Sequence, residues 1–177
     1  MWITGLSGAG KTTLAKALDR LLRCRGFQPV LLDGDEVRDV IRDSSTGYDR
    51  GGRLENAWRI CRMARLLAAQ GHTILVSTVS LFKDIHVWNR ENLPGYFEIY
   101  LNAPIELLRR RDAKGLYARV ERGEISGVPG VDMEFDAPMH PDLQCVISSD
   151  SPSPEVLAKN CLDQINVRTD NSWLGKR

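Results

Sequence analysis

Short apolar runs alternate along the chain with longer stretches in which apolar residues recur every three or four positions. Residues 1–4, Met1-Trp2-Ile3-Thr4, form the first run, short enough for a buried strand. Over 13–22 the apolar positions are Leu14, Ala17, Leu18, Leu21 and Leu22, the period of a helix. Arg23 and Arg25 make a basic last turn and Gly26 stops it, as a helix end should be built. The alternation then repeats. Further strands are predicted over 29–32, 72–77, 96–101 and 144–147, and helices over 53–70, 84–90, from 104 onward and over 153–165. In the longest helix Leu54, Ala57, Trp58, Cys61, Ala64, Leu67 and Ala68 share one side, and Gly71 ends it. Pro104 is expected at a first helical position, before Ile105, Leu107 and Leu108. Ser153 is expected to cap the last helix, with Pro154 just inside it. Strands followed by helices predict an α/β three-layer sandwich: a five-stranded parallel sheet with helices on both faces.

Two stretches break this rhythm. Residues 42–52 are polar and glycine-rich and read as a loop. Residues 114–141 carry glycine, proline and charge over a length too great for a passive connection, which predicts a mobile lid. One domain is expected over 1–168, with a flexible tail over 169–177.

Composition narrows the partners. At 177 residues the chain can bury one real core. Its net charge of +1 gives no overall field toward nucleic acid or an anionic membrane, so neither is an expected partner. No apolar run approaches the ~18 residues of a membrane span, and no signal peptide fits ahead of residue 5; the expected location is the cytoplasm. Cys24, Cys61, Cys145 and Cys161 lack metal or redox spacing and read as reduced, buried thiols. His72, His86 and His140 have no spacing that suits a metal. Trp2, Trp58 and Trp88 read as core or interface, and Trp173 as part of the tail.

The chemistry is concentrated where strands end. Gly5-Leu6-Ser7-Gly8-Ala9-Gly10-Lys11-Thr12 fits the phosphate-binding pattern G-x-x-x-x-G-K-[ST], between a strand and a helix as the motif requires. Glycines let successive N–H groups turn toward one anion, and the helix start adds its own amides and positive dipole end. Lys11 should reach the β- and γ-phosphates of a nucleotide, and the Thr12 hydroxyl should coordinate Mg²⁺. Asp33 and Asp35 follow the second strand directly, at the sheet edge where ligands of open α/β folds bind. Either could instead cap the helix that follows.

Seven local sequences appear in order: GLSGAGKTT from Gly5, LDGDEVR from Leu32, RLEN from Arg53, RDAKGLY from Arg111, RGEI from Arg122, GVD from Gly130 and AP at Ala137. Together they resemble adenylylsulfate (APS) kinase, over nearly the whole chain. The resemblance implies an ATP- and Mg²⁺-dependent phosphotransferase acting on the ribose 3′-hydroxyl of adenosine 5′-phosphosulfate to give PAPS. It implies ATP-phosphate binding by Gly5, Ser7, Gly8, Ala9, Gly10, Lys11, Thr12 and Thr13, with Arg111 and Asp112 near the ATP base. Metal binding falls to Thr12 and, through water, Asp33. Asp35, Lys11 and Lys114 take the catalytic roles. The acceptor nucleotide meets Asp35, Arg38, Tyr48, Arg53, Asn56, Val79, Ser80, Lys114 and Val128. A homodimer is also implied.

The departures all fall on the acceptor side. Members of the family hold the acceptor adenine between two phenylalanines. Tyr48 replaces the first and Val128 the second; Thr78-Val79-Ser80-Leu81 replaces F-I-S-P, and Trp58 replaces an arginine. A valine cannot stack, which loses ~0.5–1.5 kcal/mol beyond area burial. Two acceptors remain open: APS, with Tyr48 and Phe82 repacked around adenine, or a smaller nucleotide such as cytidine diphosphoramidate, the acceptor of a relative that acts in capsule modification. A catalytically silent nucleotide-binding module would be expected to have lost one of Lys11, Thr12, Asp33, Asp35 or Lys114.

Overall fold

The computed structural model describes residues 1–41, 47–112 and 115–168. Five parallel strands, β1 (Trp2–Gly5), β2 (Val30–Asp33), β3 (Ile74–Ser77), β4 (Glu98–Asn102) and β5 (Leu143–Val146), lie in the order β2-β3-β1-β4-β5. The register pairs Asp33 with Ser77, and Gly5 with Leu101. The carboxyl ends of the three strands β1, β2 and β3 thus open on one edge.

Strand alternation builds the layers. In β1, Trp2 joins one core and Ile3 the other; in β3, Ile74 and Val76 face one way and Leu75 the opposite. Successive side chains of a strand point to opposite faces, and a sheet covered on both sides makes both apolar. The first core holds α1 (Lys11–Cys24) through Leu14, Leu18 and Leu22, with Ala158, Cys161 and Leu162 of α7 (Pro154–Arg168). The second holds α3 (Arg50–Ala69) through Ala57, Ile60, Cys61 and Ala64, with Ile85 of α4 (Lys83–Asn92). The three-layer sandwich is as the pattern predicts. The close approach of β4 explains Gly5: a Cβ there would meet the Leu101 carbonyl oxygen at 2.6 Å, at a φ of 148°.

Several local expectations are corrected. The 42–52 loop is shorter than predicted, because α3 begins at Arg50 despite Gly51 and Gly52. The Asp49 carboxylate accepts from the Gly52 amide at 2.7 Å, and this N-cap overrides the weak helix preference of the glycines. Pro104 caps α5 (Ile105–Arg111) instead of occupying its first position. Ser153 does act as the cap of α7: its hydroxyl accepts from the Val156 amide. Cys24 is exposed, while the other three thiols are buried. Trp2 is buried, and Trp58 meets Trp88 edge-on at 5.6 Å. Between 115 and 141 lies a further helix, α6 (Leu116–Glu121), preceded by Gly115 in the left-handed region. Tyr117 and Val128 from this stretch are in the core. Trp173 and the tail lie outside the described residues, as does Lys114.

Candidate active site

The loop after β1 is folded by glycine. Gly8 and Gly10 have φ values of 80° and 98°, which an L side chain adopts at a cost. Gly10 is also the cap residue of α1 and offers no side-chain acceptor, so the first-turn amides are left facing the cleft. A 14-residue helix with no acidic residue in its first turn presents an uncompensated positive end to an anion. Lys11, 8% exposed, curls over the loop and donates from Nζ to the Leu6 carbonyl at 2.9 Å. Tyr117 ties α6 to the same loop, its hydroxyl donating to the Ser7 carbonyl at 2.7 Å. Burial pushes the Tyr117 phenol up to about 12, with the Asp112 carboxylate adding to it. The group therefore remains a donor.

Asp33 ends β2 and is buried. One carboxylate oxygen accepts the Asp35 amide at 3.0 Å, the other the Thr12 hydroxyl at 2.7 Å. One carboxylate thus caps α2 and also meets the hydroxyl of the phosphate-loop threonine. The Thr12 hydroxyl is also 3.3 Å from that of Ser77. Asp35, in the first turn of α2 (Gly34–Ile41), lines the cleft, and its carboxylate plays no part in that cap.

The cleft, about 600 Å³ in volume, runs from Ser7, Lys11 and Thr13 past Asp33 and Asp35 to Arg38, Tyr48, Arg53 and Asn56. Val79, Ser80 and Val128 close it. Ser80 is buried, its hydroxyl 3.0 Å from that of Thr78. Asn56 donates from Nδ2 to the Gly34 carbonyl at 3.3 Å, while its buried Oδ1 has no partner among the described residues. Arg38 Nη1 donates to the Gly47 carbonyl at 3.0 Å, and its guanidinium sits 4.6 Å from the Tyr48 ring centre. Arg53 lies 5.6 Å from the same ring.

Arg53 does more than the sequence suggests. Its Nε donates at 2.8 Å to both the Tyr48 and the Gly127 carbonyls, stitching the 47–49 loop to the 126–128 turn. Burial, with Arg38 nearby, holds its guanidinium below the usual arginine range. The turn is held from its other side by Asp132, which accepts the Gly127 and Val128 amides at 2.8 and 2.6 Å. A Cβ on Gly127 would meet the Tyr48 carbonyl at 2.8 Å, so the two walls touch here through backbone. Val128 is 1% exposed and belongs to the core.

Two expected residues lie outside this cleft. Asp112 accepts the Tyr117 and Ala118 amides, both at 3.0 Å, and clamps the start of α6. The bond from Ala118 leads in holding its carboxyl below the usual range. Arg111 donates to the Ser148 carbonyl at 3.3 Å. Neither is among the residues lining the cleft. Gly5 and Ala9 shape the loop from behind. Arg119, Ser126, Met133, Glu134 and Phe135 line the cleft without having been singled out in the sequence. They come from the 115–141 stretch, at positions its RGEI, GVD and AP sequences do not include.

A glycine loop leading into a helix, a buried lysine, and a hydroxyl paired with a strand-end carboxylate define a P-loop phosphotransferase on a parallel sheet. The family model for adenylylsulphate kinase matches residues 1–146, and the chain belongs to that family. It is a kinase, transferring a phosphoryl group to an alcohol. It is 41% identical over 138 residues to a cytidine diphosphoramidate kinase of Campylobacter jejuni, covering 78% of this chain and 80% of that one. Against an adenylyl-sulfate kinase of Picosynechococcus it is 41% identical over 145 residues, covering 82% and 81%. Among solved structures, the Mycobacterium tuberculosis APS kinase CysC in complex with AMPPNP and APS superposes with a TM-score of 0.84. That protein is 32% identical, over 93% of this chain and 95% of the other.

Proposed function

We propose that the protein transfers the γ-phosphoryl group of ATP to the ribose 3′-hydroxyl of a nucleotide bearing a 5′ phosphoric anhydride, and that the acceptor is cytidine diphosphoramidate. The transfer itself is supported by the continuity of one cleft, with phosphate-binding groups at one end and Asp35, Arg38 and Asn56 at the other. Lys11 and the loop amides bind the donor phosphates. Thr12 and Asp33 fit Mg²⁺: two oxygen donors 2.7 Å apart suit a hard cation that keeps several waters. When bound, the ion neutralises charge on the donor phosphates. Asp35 orients the attacking hydroxyl and takes its proton. Arg38 binds the anhydride. The stretch that follows Arg111, Lys114 within it, closes over the phosphates and excludes water.

The single observation that carries the choice of acceptor is Val128. It sits in the core and carries no ring to stack, and Tyr48 already has guanidinium groups near its ring, so a two-ring adenine clamp is not made. A pyrimidine needs less stacking area. The name of the Campylobacter relative is in line with it. The second reading is APS, favoured by the family match and by Arg38, Arg53 and Asn56 all lining the cleft. ADP release should be measured with ATP, Mg²⁺ and each acceptor in turn. The cytidine compound is expected to exceed APS in kcat/KM by at least ~10-fold, the worth of ~1.4 kcal/mol. The reverse ranking establishes the APS reading, and no release with any nucleotide removes both.

A further inference from the structure

Away from the phosphates, His86 on α4 is held between two oxygens. Its Nδ1 lies 2.7 Å from Glu98 Oε1 on β4, and its Nε2 3.2 Å from the backbone carbonyl of Asp136. A carbonyl can only accept. The Glu98 carboxylate also acts as acceptor, because Oε1 takes the Tyr96 hydroxyl at 2.7 Å and Oε2 faces Arg90 at 3.5 Å. A neutral imidazole has one N–H and satisfies one of these oxygens; only the doubly protonated ring satisfies both. The ring is 11% exposed and Glu98 3%. Glu98 and Tyr96 face it from β4 and the turn before, Arg90 belongs to its own helix, and Asp136 and Asp142 come from the segment returning to β5. Arg90 donates to Asp142 at 2.7 Å and to the His140 carbonyl at 3.1 Å.

What the ring holds is a wall of the cleft. Asp136 follows Met133, Glu134 and Phe135, which line it. The Asp136 amide donates to the Leu81 carbonyl at 3.0 Å, and its carboxylate accepts the Lys83 amide at 3.2 Å. Leu81 lines the same cleft.

We propose that His86 is a positioning residue: its doubly protonated ring fastens the 133–136 segment to α4 and β4 and thereby sets affinity for the acceptor nucleotide. The proposal rests on the reading above in naming that wall as the acceptor side. A ring with a single proton keeps only one of the two bonds.

Two measurements on the full chain test this. Ring ¹⁵N NMR of the ligand-free protein follows the His86 titration while the Ala137 amide, bonded to the Asp136 carbonyl carbon, is followed in the same samples. The two are expected to shift with one midpoint. An Ala137 amide that ignores the ring overturns the proposal. In kinetics, His86→Ala and His86→Gln, neither able to donate to both oxygens, are expected to raise acceptor KM about tenfold. kcat and the KM for ATP should stay within about twofold. Wild-type acceptor KM should rise through the histidine titration, and the His86→Ala profile should lack that step. Unchanged acceptor KM in both variants, or identical pH profiles, overturns it. If neither variant folds, the wild-type ring titration decides alone. If no nucleotide is phosphorylated, the functional reading fails and the NMR still decides the role of His86.

Discussion

Replacing Lys11 by alanine is expected to lower kcat by about 10²–10³, the worth of one preorganised charge-stabilising donor. The side chain is buried, starts α1 and hangs over the loop, held by the Leu6 carbonyl at 2.9 Å. It needs only to exchange one oxygen for another to reach a phosphate, so little reorganisation opposes its action. Loss of the ammonium also frees the Leu6 carbonyl, which costs about 1 kcal/mol of stability. Chemical denaturation separates the two effects. The expected outcome is a folded protein with a small loss of stability and a large loss of turnover. A variant that unfolds outright, or that turns over at near-normal rate, contradicts the role.

Asp35→Asn is expected to cut kcat by at least ~10², the low end of general acid–base contributions, with ATP affinity little changed. Asp35 takes part in the Asp33 cap through its backbone amide, which the substitution keeps. Asp33→Asn is the contrasting variant. Its carboxylate accepts both the Thr12 hydroxyl and the Asp35 amide, so stability and nucleotide affinity should fall together with turnover. Stopped-flow binding of ATP and steady-state turnover on the same preparations distinguish the pair. Asp35→Asn with weakened ATP binding and normal turnover would contradict its assignment to the acceptor side.

The regular frame and the donor half of the site were legible because they rest on local signals. Short apolar runs marked the strands, three- and four-residue spacing marked α1 and α3, and Gly5 to Thr12 carries its chemistry in consecutive residues. What the chain did not reveal has another cause. Asp49 starts α3 through one side-chain bond, which the neighbouring glycines mask in composition. Asp112 clamps α6 by accepting two amides that are close only after folding. Arg53 was readable as an anion binder, but its Nε joins Tyr48 to Gly127, 74 residues further on. The bracket around His86 likewise depends on oxygens 12 and 50 residues away. Contacts of that range leave no periodic trace in the chain.

The central claim is that the phosphoryl group is delivered to the ribose 3′-hydroxyl of a nucleotide. Its most direct test is the structure of the product made from γ-labelled ATP, Mg²⁺ and each candidate acceptor, resolved by ³¹P–¹H correlation NMR. A new phosphorus coupled to the ribose H3′ is expected, with the 5′ anhydride intact. Label on the 2′-oxygen, on the 5′ chain, or released only as inorganic phosphate would contradict it.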